Sequence, residues 1–132
     1  IDDYDEVYGL WRESDGIELS NVDTRNDIDR LLNRNPGLSF VARDKEQLVG
    51  AVLCTHDGRR GYIDHLVVRA SHRRQGIGKA LVARCLYNLM RSGIRTWHLF
   101  VQEDNQGAIA FWRQLGWAER VELVTMSRNQ AG

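Results

Sequence analysis

Two segments near the start of the chain repeat hydrophobic side chains every three or four residues, which predicts two amphipathic helices. In YDEVYGLWRES, this spacing brings Val7, Leu10 and Trp11 to one face. In DTRNDIDRLLNRNPG, Thr24 stands where a helix cap is expected and Ile28 begins the inward face. The sequence NPG should end this second helix, because the residue before a proline avoids helical backbone angles.

Two more helices are predicted in the second half of the chain. A long hydrophobic stripe runs from Gly76 to about Arg91, and Gly93 follows it as a helix-ending glycine. The segment NQGAIAFWRQLGW is shorter, with Asn105 as its cap and Gly116 as its closing glycine.

Between and after these helices the chain has short hydrophobic runs that read as strands. They are LSFVAR, LVGAVLCTH, YIDHLVV, TWHLFV and VELVTM. Their order relative to the helices predicts one α/β (α+β) domain over residues 1–132. Its sheet should be mixed but mostly antiparallel, with helices on both faces.

Composition narrows the classes of protein that remain. With 132 residues, formal net charge zero and 42% hydrophobic residues, the chain fits one soluble globular domain and not a dedicated nucleic-acid binder. No apolar run is long enough to cross a membrane, and no signal peptide is visible. Cys54 and Cys85 lie in apolar runs without metal-ligand spacing, so we expect two buried reduced thiols, no metal and a cytoplasmic setting.

The segment HRRQGIGKAL places glycines and basic residues where the third helix begins. Backbone N–H groups in a first helical turn lack partners within the helix and favour an anion, and glycine lets that anion approach closely. A pyrophosphate fits this pattern, although a plain turn would look similar. Ala80 stands where a P-loop needs Ser or Thr, and Leu81 stands where a Rossmann fingerprint needs its third glycine.

The pattern Arg73-x-x-Gly76-x-Gly78 resembles motif A of the GNAT superfamily of N-acetyltransferases. Its setting, IDHLVVRASHRRQGIGKALV, is similar to that family's fourth strand, pyrophosphate loop and third helix. Further on, EDNQGAIAFWRQLGW resembles the exit of the family's fifth strand and its fourth helix. The resemblance implies the GNAT fold and acetyl transfer from acetyl-CoA directly to a primary amine, in a small molecule or at a protein N-terminus.

The resemblance also implies which residues bind acetyl-CoA. In this family the fourth and fifth strands separate, often at a bulge, and the pantetheine arm pairs with the backbone of the fourth strand. One N–H there can also polarise the acetyl carbonyl. The implied cofactor-binding residues are Leu66, Val67, Val68, Arg73, Arg74, Gln75, Gly76, Ile77, Gly78, Lys79, Asn105, Ala108, Phe111 and Trp112.

The catalytic positions of the family are only partly matched. The usual acid is a tyrosine where this chain has Trp112, and the usual basic glutamates fall at Tyr62 and Phe100. Asp64 shares a strand face with Tyr62, so Asp64 is the first candidate for the base, followed by Tyr62 or a water chain. His65 should point to the opposite face and pack under a helix.

Several alternatives remain at the level of the sequence. A protein of the same fold that binds acyl-CoA without turnover, as a sensor or interaction module, is the main rival, because the usual tyrosine and glutamates are missing. The acceptor should bind near the two N-terminal helices and DGIELSNVD, where Glu18 and Asp23 are carboxylates that attract an amine or are merely solvated. A homodimer is possible, with VELVTM as a strand that can pair across subunits.

Overall fold

A computed structural model of the chain describes residues 1–130. These residues form two compact units, Ile1–Gln102 and Glu103 onward. The elements of the first unit are α1 (Tyr4–Arg12), α2 (Arg25–Arg34), β1 (Phe40–Asp44), β2 (Gln47–His56), β3 (Arg60–Val68), a 3₁₀ turn (Ala70–His72), α3 (Ile77–Arg91) and β4 (Thr96–Leu99). The second unit contains α4 (Gln106–Gln114).

The sheet of the first unit has four strands in the order β1-β2-β3-β4. The β1–β2 and β2–β3 pairs are antiparallel, whereas β3 and β4 are parallel, since the chain returns through α3 before entering β4. The predicted mixed and mostly antiparallel sheet is therefore confirmed.

Helices cover both faces of this sheet, as predicted. On one face, Leu10 and Trp11 of α1 and Ile28 of α2 pack in a buried cluster with Ala51 and Leu53 of β2. Because strand residues alternate between faces, the residues between these belong to the other face, where α3 lies.

Glycine allows α3 to approach this second face closely. A Cβ on Gly50 of β2 would stand 3.2 Å from side-chain atoms of both Ile77 and Leu81. A Cβ on Gly61 of β3 would stand 2.8 Å from a methyl group of Leu89. A larger residue at either position would push the helix away from the sheet, and the start of α3 would then move relative to β3.

The structure confirms the local signals that predict the helices. Thr24 caps α2 by accepting a hydrogen bond from the Asp27 N–H at 3.2 Å. Gly93 follows α3 with a φ of 82°, a backbone conformation that favours glycine. Cys54 and Cys85 are buried free thiols, as expected.

The predicted last strand, VELVTM, is wrong. Residues 121–126 have neither helical nor strand structure among the residues described. Val121, Val124 and Met126 are more than four-fifths exposed. Alternating hydrophobicity favours a strand only where a partner strand supplies the hydrogen bonds, and no pairing in the described residues includes this segment.

Within residues 1–130, no helix is long and apolar enough to span a membrane. The prediction of one domain over residues 1–132 stays a prediction.

Candidate active site

The first turn of α3 presents backbone donors to solvent. Its first internal hydrogen bond runs from the Ala80 N–H to the Gly76 carbonyl at 3.0 Å, so the N–H groups of Ile77, Gly78 and Lys79 precede the helical ladder. Gly76, the cap residue, has a φ of 83°, and a Cβ built there would meet no atom within 4 Å. An anion can therefore approach the backbone at this point without obstruction by a side chain.

The loop before α3 is held in place by polar contacts. His72 Nε2 lies 2.9 Å from Asp44 Oδ2 at the end of β1, and the Ser71 hydroxyl lies 2.7 Å from His72 Nδ1. Arg74 has a φ of 64°, which bends the backbone sharply two residues before Gly76. Alternation of right- and left-handed residues turns successive N–H groups toward one point, which is how backbone concavities bind anions.

Strand β3 continues beyond the end of its neighbour β4. The two strands pair only from Arg60 with Thr96 to Ile63 with Leu99, where β4 ends. Residues 64–68 of β3 therefore have an edge that β4 does not cover. This is the separation of strands that the family resemblance implies.

The backbone of residues 66–68 divides between the two edges of β3. The Arg69 N–H donates to the Val49 carbonyl of β2 at 2.7 Å. Because backbone groups alternate in direction along a strand, Val67 also points to β2, whereas Leu66 and Val68 point to the open edge. Val67 should be removed from the predicted set of backbone contacts. Arg73 Nε donates to the Val68 carbonyl at 3.1 Å, so the loop already holds one group of the open edge.

A bulge interrupts β3 between its paired and open halves. Leu53 stands opposite Asp64 and Ala51 stands opposite Val67, so β3 has one more residue than β2 between these pairs. His65, within this extra length, has a φ of 50°. A bulge re-aims side chains and breaks their alternation, so His65 shares the face of Asp64. The prediction that His65 points to the opposite face is wrong, although it does pack under a helix.

His65 links three parts of the chain through its largely buried ring. The ring lies edge-on to Trp11 of α1, with centroids 4.9 Å apart. Its Nε2 lies 2.9 Å from Oδ1 of Asp23, a carboxylate only 5% exposed, and its Nδ1 lies 3.3 Å from Oδ1 of Asp64. Burial alone would lower the pKa of His65, but the hydrogen bonds and charges of Asp64 and Asp23 raise it above the usual 6.5.

The sequence predicts that Asp23 is a solvated or amine-attracting carboxylate, whereas the structure buries it in contact with His65. Its Oδ2 accepts from the Ser20 N–H at 3.0 Å, and its own carbonyl accepts from the Tyr4 hydroxyl at 2.6 Å. Asp23 thus fixes the loop between α1 and α2 to the bulge. Glu18, in the same loop, accepts from the Gln102 side chain at 3.0 Å.

Asp64 and Tyr62 line one small cavity on this face of the sheet. The Asp64 side chain is 65% exposed, so water limits the cost of ionising it. Burial tends to raise the pKa of Asp64, but the hydrogen bond and charge of His65 outweigh it and hold the pKa below the usual 3.8. Asp64 is therefore a carboxylate at neutral pH. The cavity is lined by Leu31, Leu53, Thr55, Tyr62, Ile63, Asp64 and Phe100.

The second unit presents the remaining predicted residues on α4. Asn105 caps this helix, since its Oδ1 accepts from the Ala108 N–H at 3.1 Å. Trp112 is 8% exposed and lies edge-on to two aromatic rings, Phe111 at 5.1 Å and Trp117 at 5.3 Å between centroids. The side-chain oxygen of Asn105 is used by the cap in this structure.

Two features of the site had little signal in the sequence. Asp23 and His65 are 42 residues apart, and no spacing rule connects them. The family resemblance marks Phe100 only as the replacement of a glutamate, yet it is 74% exposed beside the cavity. Its position near the end of the predicted strand TWHLFV is the one cue in the sequence that points to it.

Comparison with known proteins defines the class of this fold and site. The model of the acetyltransferase (GNAT) family matches residues 4–117, and the chain belongs to that family. An acetyltransferase of Pectobacterium atrosepticum is 35% identical over 128 residues, which cover 97% of this chain and 89% of that protein. The protein is accordingly an N-acetyltransferase.

Solved structures agree on the fold. An aminoglycoside acetyltransferase from an uncultured soil metagenomic sample has a TM-score of 0.77 at 19% identity, over 98% of this chain and 90% of that one. The ribosomal-protein-S18-alanine N-acetyltransferase of Escherichia coli has a TM-score of 0.68 at 20% identity, over 87% of this chain and 71% of that one. At such identities the likeness establishes the architecture alone.

Proposed function

We propose that this enzyme moves an acetyl group from acetyl-CoA directly to a primary amine, either of a small molecule or of a protein N-terminus. The observation that carries this proposal is the uncovered edge of β3 beside the first turn of α3. The pantetheine arm of acetyl-CoA can pair with the open edge of β3 while the pyrophosphate binds the first turn of α3. The amine is the expected acceptor for a family of N-acetyltransferases.

The anion site fits a pyrophosphate on steric and electrostatic grounds. Gly76 leaves open the space that a Cβ would fill, and it directly precedes the first turn of α3. The aligned peptide dipoles of a 15-residue helix favour negative charge at this end. Arg74 and Lys79 add positive charge in the same segment, and we assign them with Gln75, Ile77 and Gly78 to the pyrophosphate.

We assign the pantetheine arm to the open edge of β3. Leu66 and Val68 direct their backbone groups to that edge, so an extended amide chain can continue the ladder as an added strand would. Arg73 must share or release the Val68 carbonyl when the arm binds, which makes Arg73 a residue that responds to the cofactor. Asn105, Ala108 and Phe111 are proposed as further contacts from α4, by resemblance to the family.

The chemistry needs an uncharged amine and a stabilised carbonyl oxygen. Bound acetyl-CoA supplies a thioester, whose carbonyl carbon bonds to the amine nitrogen as CoA leaves as the thiol. We propose that the Leu66 N–H on the open edge donates to the carbonyl oxygen as negative charge develops there. The amine, with a pKa near ~10 in water, must first lose a proton.

We propose that Asp64 receives the acceptor as its ammonium ion and holds the water that takes the proton. A carboxylate with a lowered pKa is a good partner for a cation and a weak base by itself, so a water or Tyr62 beside it completes the transfer. His65 and Asp23 fix the position of Asp64 from the buried side. Trp112 can donate an N–H or shape the site, but it has no proton to lose at neutral pH.

The proposal is tested by the release of free CoA thiol when the protein is given acetyl-CoA and a panel of amines. Asp64→Asn should reduce the rate at neutral pH by about 10²–10⁴-fold, the usual contribution of general base catalysis, with acetyl-CoA affinity nearly unchanged. Glu46→Gln, which changes an exposed carboxylate in the turn between β1 and β2, is the matched control. A rate for Asp64→Asn within about threefold of wild type, far below that range, would exclude Asp64 from the proton transfer and leave Tyr62 or a water chain that does not involve Asp64.

One observation favours a second candidate function, a binding module without turnover. The position of the family's usual acid holds Trp112. If the protein binds acetyl-CoA in calorimetry but releases no thiol with any amine in the panel, the sensor role is supported and the transfer proposal fails.

A further inference from the structure

The cavity beside Asp64 has a composition that restricts the acceptor. Its volume is about 150 Å³. Of its seven lining residues, Asp64 is the only one with a charge, and the others are Leu31, Leu53, Thr55, Tyr62, Ile63 and Phe100. Such a space offers one ionic contact and a largely apolar surface.

The cavity lies where the two strands separate. Ile63 and Leu99 form the last pair between β3 and β4, and Asp64 and Phe100 are the residues that directly follow them. A group held between Asp64 and Phe100 is therefore at the beginning of the open edge of β3. On the proposed function, this is the end of the arm that carries the acetyl group.

The size of the cavity matches one small ring. An engineered apolar cavity of about 150 Å³ in another protein is known to bind benzene. Phe100 is 74% exposed, and Tyr62 is partly buried with its ring centroid 5.9 Å from that of His98. These rings provide aromatic surface that an apolar group would cover.

The charge of the cavity favours one ammonium ion and no more. Asp64 is ionised because its hydrogen bonds to His65 favour the charged form, and it can pair with a single cation. A second ammonium group of a polyamine or an amino sugar would find no second carboxylate among the residues that line the cavity. It would gain nothing from the apolar lining, because a charge brought against apolar surface loses hydration without a partner.

We propose that the preferred acceptor is a primary amine carried within a few bonds of a benzene-sized apolar group. This inference rests on the proposed function and names the substrate class of that site. Two sources share this chemistry: a free arylalkylamine, and the α-amine of a peptide whose first residue is aromatic. Asp64 pairs with the ammonium group, and Phe100 covers the ring.

The experiment compares kcat/KM for acetyl-CoA-dependent acetylation of matched amines. Phenethylamine and ethylamine differ by the ring, and the amidated peptides Phe-Gly-Gly and Gly-Gly-Gly differ in the same way, which separates the two sources. Spermidine tests polycations. We expect the ring to raise kcat/KM by about tenfold or more, because burying a phenyl group is worth at least that factor. Equal values for ringed and ringless amines, or a preference for spermidine, would overturn the inference.

Two variants test whether this cavity causes the preference for amines that carry a ring. Phe100→Ala should reduce the ratio of kcat/KM for phenethylamine to that for ethylamine by several-fold or more. Tyr87→Ala removes another exposed aromatic ring, 55% exposed on α3, and should leave the ratio as in wild type. A ratio that Phe100→Ala does not change would place the ring elsewhere.

Failure of the proposed function is distinguishable from failure of this inference. If no amine is acetylated, dissociation constants of phenethylamine and ethylamine are measured by calorimetry with CoA present. Tighter binding of phenethylamine that Phe100→Ala abolishes would support the acceptor class without turnover. Equal or undetectable binding of both amines would reject it.

Discussion

Gly76 and Gly93 offer a matched pair of substitutions at the two ends of α3. Their φ angles are 83° and 82°, and a Cβ at either position would meet no atom within 4 Å. Replacement by alanine therefore introduces the same backbone strain at both positions, about 1–2 kcal/mol, with no steric overlap in the free protein. We expect Gly76→Ala and Gly93→Ala to lower the free energy of unfolding by similar amounts.

The two variants should differ in their affinity for acetyl-CoA. At Gly76 the new methyl group projects into the open space at the start of α3, where we propose that the pyrophosphate binds, whereas Gly93 lies beyond the last turn. Losing one hydrogen bond to a charged group costs about 1.5–3 kcal/mol, which raises the dissociation constant by roughly 10- to 150-fold. Gly93→Ala should leave the dissociation constant within about twofold, because no such bond is lost.

Calorimetric titration with acetyl-CoA and urea unfolding of both variants make the comparison. Gly76→Glu and Gly93→Glu extend it by adding a negative charge, which at Gly76 should abolish measurable binding. Unchanged affinity in Gly76→Ala, with a loss of stability equal to that of Gly93→Ala, would show that the pyrophosphate does not bind this turn. Circular dichroism controls for an intact fold.

Two further predictions concern the acid position and the buried ion pair. Trp112→Phe should lower the rate by about tenfold or less, because one hydrogen bond is lost, and Trp112→Ala should lower it further because it leaves a cavity. Steady-state kinetics of both variants test this, and a loss of several hundredfold in the Phe variant would show that the indole N–H is essential. The folded-state pKa of His65 is raised above 6.5, so its stabilising contribution is fully present below that pH and is lost as pH rises through the folded-state pKa. Asp23→Asn should therefore reduce the free energy of unfolding more near about pH 6 than near about pH 9, and the reduction at the lower pH should be about 1.5–3 kcal/mol. An equal reduction at both pH values, measured by urea unfolding, would contradict an ionic interaction of protonated His65 with Asp23.

The sequence by itself determined the helices, because their signals are local. Thr24 and Asn105 each bond to a backbone N–H three residues further on, so residue type and spacing are enough to identify both caps. The glycine loop was recognisable for the same reason, since Gly76 meets the start of α3 within its own segment. The family followed from motifs that are contiguous in the chain.

Tertiary structure decided the features that depend on strand pairing. The segment VELVTM has a strand-like pattern, but a pattern cannot supply the partner strand that backbone groups require. His65 faces the same side as Asp64 only because β3 has one residue more than β2 across the bulge, and period-two alternation read from a sequence cannot contain that insertion. Likewise, Val67 turns its backbone to β2 because of the register of that pair.

The candidate site shows the same division. The turn proposed to bind the pyrophosphate is formed within one segment, so the sequence alone could suggest it. The cavity between Asp64 and Phe100 exists because two strands 36 residues apart in the chain end their pairing at the same level. Asp23 contacts His65 because the loop after α1 is folded against the bulge. Contacts between distant segments depend on the packing of whole elements, and their free energy has no signature at any one position in the sequence.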